Sequence, residues 1–309
     1  MLGRYRELSR HARVFRGMTG LTVAEFDAVV RDVLPAFGEA RQERLSRPDR
    51  KRKMGAGAPA ALTPRDAVLL TVVWLRQYPT YLVLGYLWGV SETTVMRVVQ
   101  RLAPLLAADG RQRFTLPAPG TRSRRGLDAL LADVPGLALV VDTFEQHVQR
   151  PQRRADADGY YSGKKTMHTV KSQVVVDERD GCIVAVAASV PGPTNDLALL
   201  RRSGVLERLP AGVGVLGDLA YVGVAQSHPL GCTPRRKPRK QPRPAEDVAY
   251  NTAFARRRIV VEHSIGRMRR YRAVSERDRH HRRWHSVRVC AAAGLANRPI
   301  RGRLWGRPW

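Results

Sequence analysis

Cysteine is nearly absent from this sequence. The three present, Cys182, Cys232 and Cys290, lie far apart, and none belongs to a CxxC pair. That spacing argues against a structural zinc site and against a disulfide framework. It suits a soluble protein of a reducing compartment. Long apolar runs are also missing: nothing approaches the roughly 18 residues of a membrane span. The N-terminal stretch "MLGRYRELSRHARVFRGM" has basic residues but no apolar centre, so no secretory signal is expected there. No internal repeat is found. Negative charge is scarce. Against 54 Lys and Arg stand 27 Asp and Glu, a formal net charge of +27 over 309 residues. Such a surplus favours a polyanionic partner, most simply nucleic acid. Arginine dominates the basic set, and its planar fork can donate two hydrogen bonds to one phosphate.

What is present includes a core. Hydrophobic residues make up 43% of the chain, and its length allows one large domain or two smaller ones. Thr22 and Glu25 form a capping-box pattern ahead of Phe26, Val29, Val30 and Val33, which predicts a helix ending near Pro35. The stretch Arg47 to Ala60, basic and then rich in Gly, Ala and Pro, reads as a linker. Thr63 with Pro64 starts another helix. Two short helices then meet at Gly89, the second capped by Ser91 and carrying the stripe Val95, Val98, Val99 and Leu102. This is a helix-turn-helix pattern. Thr93, Thr94, Arg97 and Arg101 are expected on the exposed side of its second helix, where they can face a major groove.

Beyond a second Pro/Gly/Arg-rich stretch, Pro117 to Gly126, the pattern changes. "GLALVVD" reads as a buried strand ending at Asp142, "MHTVKSQVVVD" and "CIVAVAASV" as two more strands, and "NDLALLRRSGVLERL" as a helix. "GVGVLGD" is a further buried strand leading to Asp218, and a long helix is expected from about Ala245 to Tyr271. This order predicts an α/β domain with a mixed sheet.

Three carboxylates stand out. Asp142 and Asp218 each close an apolar strand, and strand ends in α/β sheets are where sites form. On a helical wheel Ile259 and Ile265 fall about 60° to either side of Glu262, which puts that carboxylate on an apolar face. Converging acids repel and raise one another's pKa, a conflict that a divalent cation resolves. Local roles are also open to each: a turn or helix cap for the aspartates, and an ion pair with Arg258 or Arg269 for Glu262. Asp196, ahead of a helix, suits capping as well as metal binding. His280, His281 and His285 sit among arginines and are expected in a solvated or DNA-facing tail.

The motifs "VVDTFEQ", "YYSGKKTMHTVKSQVVVD", "PGPTNDLALL", "GDLAY" and "RRRIVVEHSIGRMR" occur in that order. Through them the sequence resembles the IS5-type insertion-sequence transposases and their Harbinger-like relatives in the DDE superfamily, over roughly residues 62 to 297. The resemblance implies an RNase H-like α/β fold, a mixed sheet flanked by helices, preceded by an all-α helix-turn-helix region. It divides the chain into a helical DNA-binding region over 1–116 (helix-turn-helix about 63–103), a linker over 117–135, a DDE catalytic domain over 136–297 and a basic tail over 298–309. It implies a triad of Asp142, Asp218 and Glu262 holding two Mg²⁺ ions, with Mn²⁺ as a substitute. Lys164, Lys165, His168, Lys171, Arg258 and Arg269 are then expected at the DNA backbone near that site. The chain departs from many relatives in "GDLAY" for "GDKGY", in Asn195 for His, and in His263 after Glu262.

The activity so implied is that of a prokaryotic transposase, cytoplasmic and nucleoid-associated. It would bind terminal inverted repeats and target DNA as a homodimer or larger assembly, cut at the element ends and join their 3′-hydroxyls to the target. The rival classes are a non-catalytic or domesticated helix-turn-helix DNA-binding protein, and an RNase H-like nuclease without strand transfer. Because phosphate contacts release counterions, affinity for duplex DNA should fall about a thousandfold or more between 50 and 200 mM salt. Fluorescence anisotropy across a salt series measures this, and a flat profile would remove the electrostatic basis of the assignment.

Overall fold

Several helices begin where the sequence supplies caps: Thr22, Thr63, Thr80 and Asn195 each accept a backbone N–H at a helix start. A computed structural model describes residues 4–46, 59–118 and 129–304. The expected linker at 47–58 and most of the second Pro/Gly/Arg-rich stretch lie outside the described residues. The chain divides into two compact units. The first comprises residues up to Gln112 together with 270–274 and the segment from Cys290 onward; the second comprises 113–269 and 275–289.

The first unit is helical. Its helices are α1 (Tyr5–Leu8), α2 (Ala12–Thr19), α3 (Val23–Leu45), α4 (Pro64–Gln77), α5 (Tyr81–Trp88) and α6 (Glu92–Gln112). The capping box is closed both ways: Glu25 N–H donates to Thr22 Oγ1 at 3.2 Å and Thr22 N–H to Glu25 Oε2 at 2.7 Å. The helix it opens does not stop near Pro35, as expected, but runs on to Leu45. Pro35 removes one internal hydrogen bond and Gly38 is a poor helix former, yet every residue from Glu39 to Leu45 is a strong one. The α5–α6 corner follows the expected turn. Gly89 ends α5 at φ 63°, and Thr94 N–H donates to Ser91 Oγ at 3.2 Å to open α6. Val95, Val99 and Leu102 are buried beneath it.

The second unit holds a mixed sheet. Its elements in chain order are β1 (Leu137–His147), α7 (Arg154–Tyr160), β2 (Tyr161–Ser162), β3 (Met167–Asp177), β4 (Ile183–Val186), β5 (Val190–Pro191), α8 (Asp196–Arg202), β6 (Val213–Leu216), β7 (Gly231–Cys232) and α9 (Ala245–Arg269). A last helix, α10 (His285–Leu304), follows. The sheet runs β2-β3-β1-β6-β7, with β4 and β5 also paired to β3. β1 lies antiparallel to β3 and parallel to β6, and β6 is parallel to β7. Alternation along β1 sorts its residues. Leu137, Leu139 and Val141 join a core with Leu197 and Leu200 of α8. Ala138, Val140 and Asp142 therefore face the other side, where α9 packs on β1 and β3.

The β3–β4 turn fastens α9. Arg257 grips the carboxylate of Glu178 with Nη2 at 2.8 Å and Nε at 3.0 Å. The same carboxylate accepts the Ala138 N–H at 2.9 Å. One turn of chain later, Gly181 O accepts Ser264 Oγ–H at 2.8 Å and Arg267 Nη2–H at 2.5 Å. Gly181 sits at φ +75°, and a Cβ there would lie 3.2 Å from Val260 and 3.3 Å from Ser264 Oγ. Both its backbone conformation and the closeness of α9 therefore call for glycine.

Two expectations for the C-terminal part are corrected. Residues 298–304 continue α10 instead of forming a basic tail. Arg298 is buried there and pairs with Asp32 and Asp109 at 2.7 Å each. His285, expected in a solvated or DNA-facing run, is fully buried between Ser189 Oγ and Gln146 Oε1, each at 2.7 Å. Burial, and then nearby Arg288, pull its pKa down to about 3, so the ring is neutral and structural.

Removing Arg257 would strand the buried Glu178 charge, at a cost of about 3 kcal/mol. Arg257→Ala should therefore be destabilised by roughly that amount in urea unfolding, whereas the exposed neighbour Arg256→Ala should shift by less than about 0.5 kcal/mol. Equal stabilities for the two variants would show that the Glu178 clamp does not hold α9.

Candidate active site

Sheet register brings the first two acids together. The last β1–β6 pair is Val140 with Leu216. Asp142 and Asp218 each stand two residues beyond it (142 − 140 = 2; 218 − 216 = 2), a step that returns to the same face. Asp142 does not end its strand as expected. β1 runs five residues further because β3 continues to pair with it, Asp142 opposite Val174 and His147 opposite Thr169. What ends at Val140 is the pairing with β6, so the β6-side edge of β1 is open at Asp142. Asp218 does serve as a cap, its Oδ1 accepting the Ala220 N–H at 2.9 Å.

Glu262 corrects the wheel argument. The buried stripe of α9 is Val261, Ser264, Ile265 and Met268, an i, i+3, i+4, i+7 set. Glu262 lies about 100° from Val261 and is exposed, while Ile259, taken as part of the apolar face, is 41% exposed. The carboxylate thus stands beside the packed face, at the rim of a pocket. Among the described residues neither Arg258 nor Arg269 pairs with it. Arg258 instead reaches Asp142, with Nη2 at 3.5 Å from Oδ2.

That pocket has a volume of about 620 Å³. Asp142, Glu145, Asp196 and Glu262 contribute acids to its wall, and Lys164, Lys165, Lys171 and Arg269 contribute cations. Consecutive residues of β1, Asp142 to Glu145, all line it, as expected where a strand edge is open and both faces can be reached. Burial raises the Asp142 carboxyl to about 6; Thr143 N–H, donating at 2.7 Å, and Arg258 oppose the rise, while Asp218 and Glu262 add to it. Asp218 and Glu262 therefore both lie within electrostatic reach of Asp142, although Asp218 itself does not line the pocket. No three acidic, His or Cys side chains among the described residues are grouped tightly enough to enclose an ion. The donor set still fits Mg²⁺. All three donors are carboxylates, and Mg²⁺ uses one or two of these with water or phosphate filling its other positions, so two ions shared among three acids need no closed cage.

The other expected site residues separate. Lys164 and Lys165 are exposed in the turn between β2 and β3 and line the pocket. His168 is half-buried, edge-on to Tyr161. Lys171 is a correction: it is buried, and its Nζ is spent on Asp196 Oδ1 at 2.6 Å and Thr194 O at 2.5 Å. A contact with the DNA backbone was expected, but the segment Thr194 to Asp196 takes up the ammonium. Asp196 is thereby neither cap nor free ligand; the cap of α8 is Asn195, whose Oδ1 accepts Ala198 N–H at 2.9 Å. Glu145 was missed. It lines the pocket and accepts Thr169 Oγ1–H at 2.6 Å; only its position, three residues after Asp142 in an alternating strand, could have pointed to it. In the helical unit Thr93, Arg97 and Arg101 are exposed on α6, while the Thr94 hydroxyl is shared with Ser91 at 2.9 Å. Arg97 and Arg44 both lower the pKa of Arg101, after its burial, so three arginines share one patch.

Comparison with known proteins agrees with this arrangement. Residues 141–297 match the family described as DDE superfamily endonuclease, and residues 60–112 match the helix-turn-helix of DDE superfamily endonuclease. The chain is 30% identical over 287 residues to "Probable transposase for insertion sequence element IS702" of Microchaete diplosiphon, covering 93% of this chain and 94% of that one. It is 25% identical to "Putative transposase for insertion sequence element IS112" of Streptomyces albus G, over 71% of this chain and 74% of that one. Against "Putative nuclease HARBI1" of Rattus norvegicus the identity is 25%, over 72% of this chain and 60% of that protein. The chain belongs to the DDE superfamily of endonucleases, with that superfamily's helix-turn-helix ahead of the endonuclease region.

Proposed function

We propose that this protein is a DNA transposase that binds element ends, cleaves phosphodiester bonds there and joins the freed 3′-hydroxyls to target DNA, using Asp142, Asp218 and Glu262 as metal-holding acids. One observation carries the reading: a half-buried carboxylate, Asp142, whose one cation stands off at 3.5 Å while two further acids act on it, in a pocket whose wall also carries lysine and arginine. Such an arrangement is costly for folding, which is what a site poised for a cation looks like. Two Mg²⁺ ions held there would supply water activation and stabilisation of the leaving oxygen. The protein's own groups do the rest. Lys164, Lys165 and Arg269 attract the phosphates to be cut, and Arg258 offsets the Asp142 charge. Lys171, through Asp196 and Thr194, fixes the loop that forms the opposite wall.

The exposed α6 residues Thr93, Arg97 and Arg101 are suited to reading end sequences in a major groove, and two ends held at once call for a dimer or larger assembly on DNA. No helix among the described residues is long and apolar enough to cross a membrane, and a nucleoid location follows from the partner proposed.

On duplexes carrying the ends that flank the gene, Asp142→Ala, Asp218→Ala and Glu262→Ala should each lower Mg²⁺-dependent cleavage and joining on the order of a thousandfold or more, with end binding retained. Wild-type cutting by Glu262→Ala would remove it from the acid set. A second expectation concerns stability in chelator. Because the folded carboxyl titrates near 6 and the unfolded one near 3.8, the folded state binds the extra proton between those values, so stability falls as pH rises through them. Asp142→Asn lacks that loss. Its stability relative to wild type should grow by roughly 2–3 kcal/mol between pH 4 and pH 7. A pH-independent difference in denaturant titrations would mean that Asp142 is not held up by its surroundings.

A further inference from the structure

A second, smaller pocket opens where β1 ends. Its volume is about 330 Å³, and its wall includes Arg150, Arg153, Arg279 and Arg282 against the acids Asp156 and Asp278. Asp278 is committed to Arg288, a buried pair. Asp156 meets Arg282 only at 4.0 Å, and the Arg282 guanidinium lies 4.3 Å from the centroid of the Tyr160 ring, which sets its orientation. Arg150 and Arg153 are exposed and form no ion pair among the described residues. Four arginines thus face one loosely held carboxylate, Asp156, since Asp278 is taken up by Arg288, and the local surface carries a positive excess.

The fold fixes the place of this pocket relative to the first. Asp142 of β1 lines the first, and Val148, the residue that follows β1, lines the second. Six residues of extended chain separate them (148 − 142 = 6), about 20 Å at 3.3 Å per residue. Val148 is held to Asp278 by a parallel bridge, with Asp278 N–H donating to His147 O at 2.8 Å, so the pocket wall is tied to the strand that carries Asp142. The chain between Arg153 and Lys164 also joins the two pockets through the single short helix α7.

Resting on the transposase reading, we propose that this second pocket binds backbone phosphates of the same duplex about six base pairs from the bond that is cut, since 20 Å of duplex at about 3.4 Å per base pair spans that distance. Arg150 and Arg153 would be the groups that contact phosphate, and Arg282 on Tyr160 would frame the pocket beside them. Two separated points of attachment fix the direction of the duplex across the site, which one pocket alone cannot do.

The test uses the full chain and an arbitrary 40-base-pair duplex, with no need for cleavage. Arg150→Ala/Arg153→Ala should reduce the slope of log affinity against log salt by about 2, so that the variant loses about tenfold less affinity than wild type between 50 and 200 mM. Its thermal melting should be unchanged, because both side chains are exposed. A slope equal to that of the wild type overturns the pocket while leaving the transposase reading intact. Failure of the wild type itself to bind duplex overturns both. Position is read on end-bearing duplexes: neutral methylphosphonates placed five to seven base pairs from the cut bond should weaken the wild type and not the double variant. Equal sensitivity of the two proteins at that position would place the arginine contacts elsewhere.

Discussion

The hold of the β3–β4 turn on α9 is the constraint on which the rest of the second unit depends. Glu178 and Arg257 form a buried two-point pair that also ties down the start of β1. Gly181 O takes two further donors from α9, Ser264 and Arg267. These contacts fix the rotation of the helix about its axis. With Arg257 turned to Glu178, its neighbour Arg258 is carried round toward Asp142, and Glu262, one turn on, comes to the pocket rim. Loss of the clamp would free α9 to turn by tens of degrees, and the acids would lose their relation before the sheet lost its pairing. A buried pair of this kind is poor evidence of stability in itself, but it specifies orientation, and orientation is what three separated acids require.

Against that frame the electrostatics of the pocket become intelligible. In most of the sheet a buried acid has a cation of its own: Glu178 has Arg257, Asp177 has Arg179, Asp196 has Lys171, and Asp278 has Arg288. Asp142 has only Arg258 at 3.5 Å, against burial and two like charges. Glu262 has none among the described residues. The chain therefore compensates its structural acids and leaves this group under-compensated. That contrast, more than the mere presence of three acids, marks the site as one that needs something added.

Much of this was legible beforehand, and the exceptions share a cause. Continuous apolar runs located β1, β3 and β6, which are buried on both faces, and the helical period located α6 and α9. Ser91 and Gly89 marked the α5–α6 corner because capping chemistry is local. The errors arose where a partner distant in sequence decides the outcome. Asp142 looked like a strand end because apolarity stops there, yet β3 carries the pairing on. Lys171 was expected at the DNA backbone, yet Thr194 and Asp196, 23 and 25 residues away, take up its ammonium. His285 sits among arginines, yet Gln146 and Ser189, 139 and 96 residues away, draw it inside. Glu262 was assigned a central place on an apolar face by counting isoleucines, whereas the stripe that packs is set by Val261 and Met268.

The same distinction applies to charge. A surplus of +27 suggested DNA, but it did not say which cations would face it. Within α9 alone the arginines divide: Arg257 and Arg267 are structural, Arg258 is a counter-ion, and Arg269 opens to the pocket. Lys171, Arg288 and Arg298 are likewise interior. This does not weaken the inference from composition; it strengthens it. Charges are buried only in company, so each interior base takes at least one acid with it, and Arg298 takes two. Acids are the scarcer kind, and every pair formed inside leaves the exterior with fewer of them to offset its arginines. The surplus stays intact at +27 and is concentrated on a surface with fewer acids than the sequence average suggests. Interior pairing thus does two things with one set of residues: it orients the helix that carries Glu262, and it leaves the basic surface that a phosphate backbone can follow.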